Sequence, residues 1–361
     1  MNLDEQFHQL IRGLLSEDPA LMERHIRSWS REVDMSDLDP RIVRMMPAIQ
    51  EILQRNLLPI PFPGHVRKYE RYWWLNQRWL ERSIRPVVQL MLDAGLSVVA
   101  LKGLAVQAQL PNPGLRTMSD VDLWLPLDQS HQAFDILFQA GFEVDASAMA
   151  LWSNHPNRYQ ETHHALPFRH PQWNASVDIH WRLGGLISRK RSRIWWQQTR
   201  ENPSSVPGWP AGMWAMSGIP LVHTVVANGY MDVWSSGMWL LDIQKLTSQW
   251  SPREWLQLRA VFEDDGRLFM WNWAIQSLLA FGCRLPAQVV WVGGSGPERR
   301  WRRMVYRNHW ESEARGVLSW TGVRPIRTAI RMTRLHARGE NVMGQLRMFW
   351  ASYWTPWDLG T

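Results

Sequence analysis

Asp120 and Asp122 stand one residue apart in the run Arg116-Thr-Met-Ser-Asp-Val-Asp-Leu-Trp-Leu125. On a strand, residues i and i+2 share a face, so both carboxylates project together while Val121, Leu123 and Leu125 turn the other way into a core. Two hard oxygen ligands side by side suit Mg²⁺, which keeps several waters and is usually bound through one or two carboxylates plus substrate phosphates. The alternative is a strand start whose two acids simply face solvent.

The neighbouring elements favour chemistry. Upstream, Leu96-Ser-Val-Val-Ala-Leu101 is a short β-branched run, followed by Lys102-Gly103 and then by Leu104 to Leu110, which reads as one or two helical turns. Backbone N–H groups at such a helix start attract phosphate, Gly103 permits close approach to the chain, and Lys102 adds a point charge. A turn over Pro111 to Gly114 leads to Arg116, whose forked guanidinium suits phosphate oxygens, and to the aspartate strand.

A third carboxylate lies downstream. Ala175-Ser-Val-Asp-Ile-His-Trp181 alternates, with Val177, Ile179 and Trp181 on one face and Asp178 and His180 on the other. Gln160 to Phe168 reads as its antiparallel neighbour, with a turn around Arg169 to Gln172. If this hairpin lies beside the aspartate strand, Asp178 completes a three-carboxylate cluster. His180 would then orient an acceptor hydroxyl, take its proton, or pack beside the site. His163 and His164 are neighbours on the expected strand, so only one of them can face the site. The histidine spacing matches no zinc pattern and the sole cysteine, Cys283, is remote, which argues against a structural zinc site.

These segments together resemble a known group. Leu101-Lys-Gly103, Pro113-Gly-Leu-Arg116, Ser119-Asp-Val-Asp-Leu123 and Val177-Asp-Ile-His-Trp181 are similar, in that order, to the motifs of the bacterial uncharacterised nucleotidyltransferase family, within the polymerase-beta-like nucleotidyltransferase superfamily. The resemblance runs from about Asn76 to Leu246. It includes Trp239-Leu-Leu-Asp-Ile243, which matches a recurring helix of the family carrying an aspartate at Asp242.

The resemblance implies two-metal nucleotidyl transfer, with two Mg²⁺ ions held by Asp120, Asp122 and Asp178. It assigns the nucleotide phosphates to Gly103 with Lys102; Arg116 and Ser119 are further nucleotide-binding candidates, and His180 and Asp242 are acceptor-side candidates. Two cations about 3.5–4 Å apart activate an attacking hydroxyl and stabilise departing pyrophosphate, so positioning and charge neutralisation do most of the catalysis. One departure stands out: the superfamily's turn usually follows its first glycine with glycine or serine, whereas here it reads Lys102-Gly103-Leu104.

The expected fold is α+β, a small mixed-sheet nucleotidyltransferase core flanked by N-terminal helices and a C-terminal helical domain. Residues 1–60 read as an N-terminal helical segment, 61–187 as the catalytic core, 188–290 as a helical substrate domain, and 291–361 as a basic, aromatic-rich helical tail. In the core, a long helix is expected from Val66 to Ala94, with a kink at Pro86, and another from Asp128 to Ala140, with Asp128 as its cap and Gly141 at its end. In the substrate domain, Ser251-Pro-Arg-Glu254 is a capping box with proline at the first helical position.

Composition bounds the setting. With 361 residues the chain can bury a full core, and a single cysteine excludes an intramolecular disulfide, which suits a reducing cytoplasm. The first residues carry acids where a secretory signal carries bases, and no apolar run reaches the ~20 residues of a membrane span. The net charge of +7 is concentrated between Glu298 and Arg347, where twelve arginines face four glutamates. That basic face, with the aromatics of Met348 to Trp357, suits an anionic surface. The alternative is a solvated arginine face, consistent with a chain in which 36 of 40 basic residues are arginine.

The functional expectation is transfer of a nucleoside monophosphate from a nucleoside triphosphate to a hydroxyl of an unidentified small-molecule, sugar, peptide or protein acceptor. A nucleic-acid primer is disfavoured because no recognised nucleic-acid module accompanies the core. Two other classes stay open: a catalytically idle nucleotide-binding or scaffold protein, and a tailoring transferase that uses a nucleotide sugar.

Overall fold

The computed structural model describes residues 3–36, 38–111, 116–173, 175–231 and 237–290. The basic, aromatic tail lies outside the described residues. The chain divides into two compact units, residues 1–156 with 163–292 and residues 157–162 with 293–361. In the second unit the described residues belong to one short helix, α8 (Pro156–Thr162).

The first unit opens with three helices, α1 (Leu3–Leu15), α2 (Pro19–Glu32) and α3 (Pro40–Arg55). Two of them start the same way. Asp18 accepts hydrogen bonds from the backbone N–H of Ala20 and Leu21, and Asp39 from that of Arg41, while Pro19 and Pro40 take first-turn positions where no donor is needed. The long helix α4 (Pro63–Asp93) keeps Pro86 in its interior and ends at Gly95, whose φ of +79° reverses the chain toward the sheet at no side-chain cost.

The sheet has the strand order β3-β4-β2-β1-β6-β5, formed by β1 (Val99–Ala100), β2 (Val121–Trp124), β3 (Ala165–His170), β4 (Ala175–His180), β5 (Ser204–Ser205) and β6 (Trp214–Ala215). It is mixed: β2 runs parallel to β4 and antiparallel to β1, and β1 runs parallel to β6. The short helix α5 (Lys102–Ala108) packs on β2, and α4 packs on β4 and on α6 (Leu127–Gln139). Val121, Leu123, Val177 and Ile179 are fully buried, and each such aliphatic side chain contributes about 1.5–3 kcal/mol through removal from water. The fold is thus the mixed α+β arrangement expected.

Several local expectations need adjusting. The cap of α6 is Pro126, with no side-chain hydrogen bond, and Asp128 sits inside the first turn; Gly141, at φ +84°, does follow the helix end. The hairpin strand begins at Ala165 rather than Gln160, because residues 156–162 form α8 and α7 (Ala146–Asn154) precedes it. Residues beyond 187 are not purely helical. After α9 (Arg189–Glu201), β5 and β6 return the chain to the sheet beside β1 before α10 (Gly218–Met231), α11 (Met238–Leu246), α12 (Pro252–Asp264) and α13 (Leu268–Ala280). The capping box at α12 is present, with the Ser251 backbone N–H donating to the Glu254 carboxylate at 2.7 Å. Among the described residues no helix is long and apolar enough to cross a membrane.

Candidate functional site

The parallel pairing of β2 and β4 sets Asp122 opposite Asp178 and Trp124 opposite His180. Alternation then brings Asp122, Asp178 and His180 to one face, while Val121, Leu123, Val177 and Ile179 fill the other. Ligand atoms of Asp122, Asp178 and His180 lie within 4.8 Å of one another. Asp120, just before β2, is outside that tight group and adds its charge from the strand's entry.

Asp122 is the buried centre. Lys102 Nζ donates to its Oδ1, and His180 Nε2 donates to the same oxygen at 2.8 Å. Burial pushes the Asp122 carboxyl up, but the Lys102 ammonium and the His180 hydrogen bond outweigh it and hold the group well below the usual carboxylate range. Asp178 is pushed up to about 6 by burial and by the neighbouring Asp122 charge, and Asp120 is raised for the same two reasons. For Lys102, burial opposes the charge, yet Asp122, Asp178 and Asp120 together raise its pKa, so it stays an ammonium. Two carboxylates with raised proton affinity around a third that is ionised describe a pocket with surplus negative charge. That surplus, with a donor set of carboxylate oxygens, fits a divalent cation.

The turn after β1 departs from a glycine cradle in one respect. Lys102, not Gly103, holds the left-handed conformation, at φ +42°, a strain of about 1–3 kcal/mol for a residue with a side chain. Gly103 is buried, and a Cβ there would come within 2.9 Å of Met118 Cγ, so the space left by its missing side chain is filled from within the protein.

The loop leading into β2 is tied down from four directions. Asn76 Nδ2 on α4 donates to the Met118 carbonyl at 3.2 Å, Thr117 Oγ1 donates to the Arg44 carbonyl at 2.9 Å, and Gln107 Nε2 donates to the Arg116 carbonyl. Arg116 Nε reaches both oxygens of Asp242 on α11 at 2.9 Å, and its Nη1 donates to the Thr117 carbonyl at 2.6 Å. Asp242 is buried, and burial raises its pKa against the pull of Arg116. Ser119 is exposed, with its hydroxyl 3.3 Å from Asp120 Oδ1.

Of the site residues expected from sequence, Lys102, Asp120, Asp122, Asp178 and His180 therefore interact as one cluster, while Arg116 and Asp242 pair with each other. The contact of His180 with Asp122, as opposed to an acceptor-facing position, follows from strand register that no spacing in the chain discloses. His164 lies beside His180, ring centroids 5.4 Å apart with the planes tilted by 41°, and burial, followed by the electrostatic influence of His180, lowers its pKa to about 3, leaving a neutral ring. His180 Nδ1 is buried with no hydrogen-bond partner among the described residues. A cavity of about 970 Å³ between α3, α11 and the start of α12 is lined by Glu51, Lys245, Trp250 and Trp255; none of the three carboxylates lines it.

A carboxylate cluster of this kind has the oxygen donors a divalent cation takes. The chain belongs to the uncharacterised nucleotidyltransferase family, whose model matches residues 44–264 and so spans both aspartate strands, the Lys102 turn and the α11 helix that carries Asp242. Among solved structures, the solution structure of the antibiotic-resistance factor ANT(2'')-Ia, a protein with substrate-regulated conformation dynamics, is similar at 13% identity and a TM-score of 0.36, over 51% of this chain and 90% of that one. No curated protein matches this sequence. The family match carries the assignment as a nucleotidyltransferase.

Proposed function

We propose that the protein transfers a nucleoside monophosphate from a nucleoside triphosphate to a hydroxyl of a small-molecule, sugar, peptide or protein acceptor, with Mg²⁺ as the working cation. The observation that carries the reading is the register of Asp122 against Asp178, with Lys102 and Asp120 closing the same charged cluster. Asp122 and Asp178 would hold the metal, with Asp120 at the open side. When bound, a divalent ion supplies charge neutralisation at the α-phosphate and lowers the pKa of a coordinated hydroxyl.

The chain's own groups do the rest. Lys102 keeps Asp122 ionised and offers its remaining N–H donors to phosphate oxygens, with the exposed Ser119 hydroxyl beside Asp120 as a further donor. His180 holds the Asp122 carboxylate in one orientation, as the outer-shell partner of a metal ligand does. Arg116 is assigned to ordering the loop before β2 through Asp242, which in turn docks α11 on the core. In the reaction the acceptor oxygen bonds to the α-phosphorus, the bond from that phosphorus to pyrophosphate breaks, and the hydroxyl proton leaves to water. Binding and orienting the two substrates accounts for most of the barrier reduction expected of such a site.

Pyrophosphate release tests the reading. Incubation with each of the four nucleoside triphosphates, Mg²⁺ and pooled hydroxyl acceptors should release pyrophosphate in wild type and not in Asp122→Asn. Turnover of nucleotide sugars without pyrophosphate would instead assign the site to a tailoring transferase, and nucleotide binding without turnover of any donor would assign it to a scaffold.

A further inference from the structure

Lys102 has a second consequence, which rests on the metal-binding reading of the cluster. A carboxylate oxygen carries two lone pairs. At Asp122 Oδ1 both face protein donors, Lys102 Nζ and His180 Nε2. Asp122 is buried, so its carboxylate cannot turn that oxygen out toward solvent. Oδ2 is then the atom through which Asp122 reaches a cation. A second ion sharing Asp122 about 3.5–4 Å from the first would compete for that one oxygen, or for Oδ1 against the two protein donors already on it.

The backbone supplies an independent sign that the ammonium is held in place by design of the turn. Left-handed backbone is cheap for glycine and costly for lysine, and Gly103 is the next residue, yet the chain adopts φ +42° at Lys102. The strained residue is the one whose side chain enters the field of Asp122, Asp178 and Asp120.

We infer that this site takes one divalent ion instead of two, and that the Lys102 ammonium is the second cation, bridging Asp122 and the phosphates of the donor. An ammonium with three N–H donors can contact a carboxylate and a phosphate at once. Positive charge at that position is then always present, and ion occupancy governs only the Asp178 side.

The test counts ions on the full chain with Mn²⁺ as probe, by equilibrium dialysis alone and with inorganic triphosphate, alongside electron paramagnetic resonance of the same samples. One Mn²⁺ per chain with an uncoupled spectrum is expected in wild type and in Lys102→Arg, two per chain in Lys102→Met, and loss of the bound ion in Asp122→Asn. Two ions with a coupled spectrum in wild type would overturn the inference and leave the metal-dependent reading standing. No bound Mn²⁺, or an ion that persists in Asp122→Asn, would overturn both. A folded Lys102→Met that still holds one ion would overturn the role of the lysine; if that variant does not fold, the wild-type count and spectrum decide.

Discussion

Lys102 and His180 converge on a single oxygen, Asp122 Oδ1, from β1's end and from β4, so the carboxylate nearest the centre of the sheet is fixed before any ligand arrives. A preset ligand costs no reorganisation when substrate binds, which is the condition electrostatic catalysis requires.

Replacing His180 should reveal that fixing. His180→Ala is expected to lower Mn²⁺ affinity about 10- to 100-fold, the usual loss when an outer-shell partner is removed, while circular dichroism shows the fold retained. Unchanged affinity would reduce His180 to packing.

Asp178 makes a pH prediction whose sign can be worked out. Its folded pKa of about 6 lies above its ordinary value of 3.8, so between those values the folded state binds more protons than the unfolded one, and stability falls as pH rises through that window. In EDTA, Asp178→Asn should therefore melt above wild type at pH 8, by an amount on the order of 2 kcal/mol, with the difference gone near pH 4. Mn²⁺ affinity of wild type should weaken as pH falls below about 6, because the ion must displace the Asp178 proton. A wild-type affinity flat from pH 7.5 to 5 would contradict both the pKa and the ligand role.

The Arg116–Asp242 pair should behave as a buried brace. Arg116→Ala leaves Asp242 uncompensated and is expected to cost about 3–5 kcal/mol in urea unfolding, whereas Arg116→Met with Asp242→Leu recovers most of the loss. If Arg116→Ala is instead as stable as wild type and loses only triphosphate binding, the arginine belongs to the nucleotide.

Gly103 offers a way to separate packing from ligand approach. Gly103→Ala drives a Cβ toward Met118 and should cost about 1–3 kcal/mol, relieved by Met118→Ala in the same chain. Triphosphate binding in that double variant reports whether phosphate needs the bare backbone there.

What the chain discloses on reading depends on the range of the interactions. The period-two pattern around Asp120 to Leu125 and Ala175 to Trp181 is local, so both site strands and their faces were readable, as was the helix start written by the Ser251-Pro capping box. Two-residue strands have no period, and β6, which completes the sheet beside β1, is invisible for that reason. The Pro126 start of α6 escaped because Asp128 mimics a cap. Lys102 to Asp122 spans 20 residues and Arg116 to Asp242 spans 126, and nothing in either neighbourhood names its partner; the brace and the shared oxygen emerge only when the strands pair.

Calorimetric titration of the four nucleoside triphosphates with Mg²⁺, into wild type and into Asp120→Asn/Asp122→Asn, tests the central claim most directly. Metal-dependent binding of at least one triphosphate to wild type, abolished in the folded double variant, is the predicted result. Absence of binding to any triphosphate in wild type would contradict nucleotidyl transfer at this site.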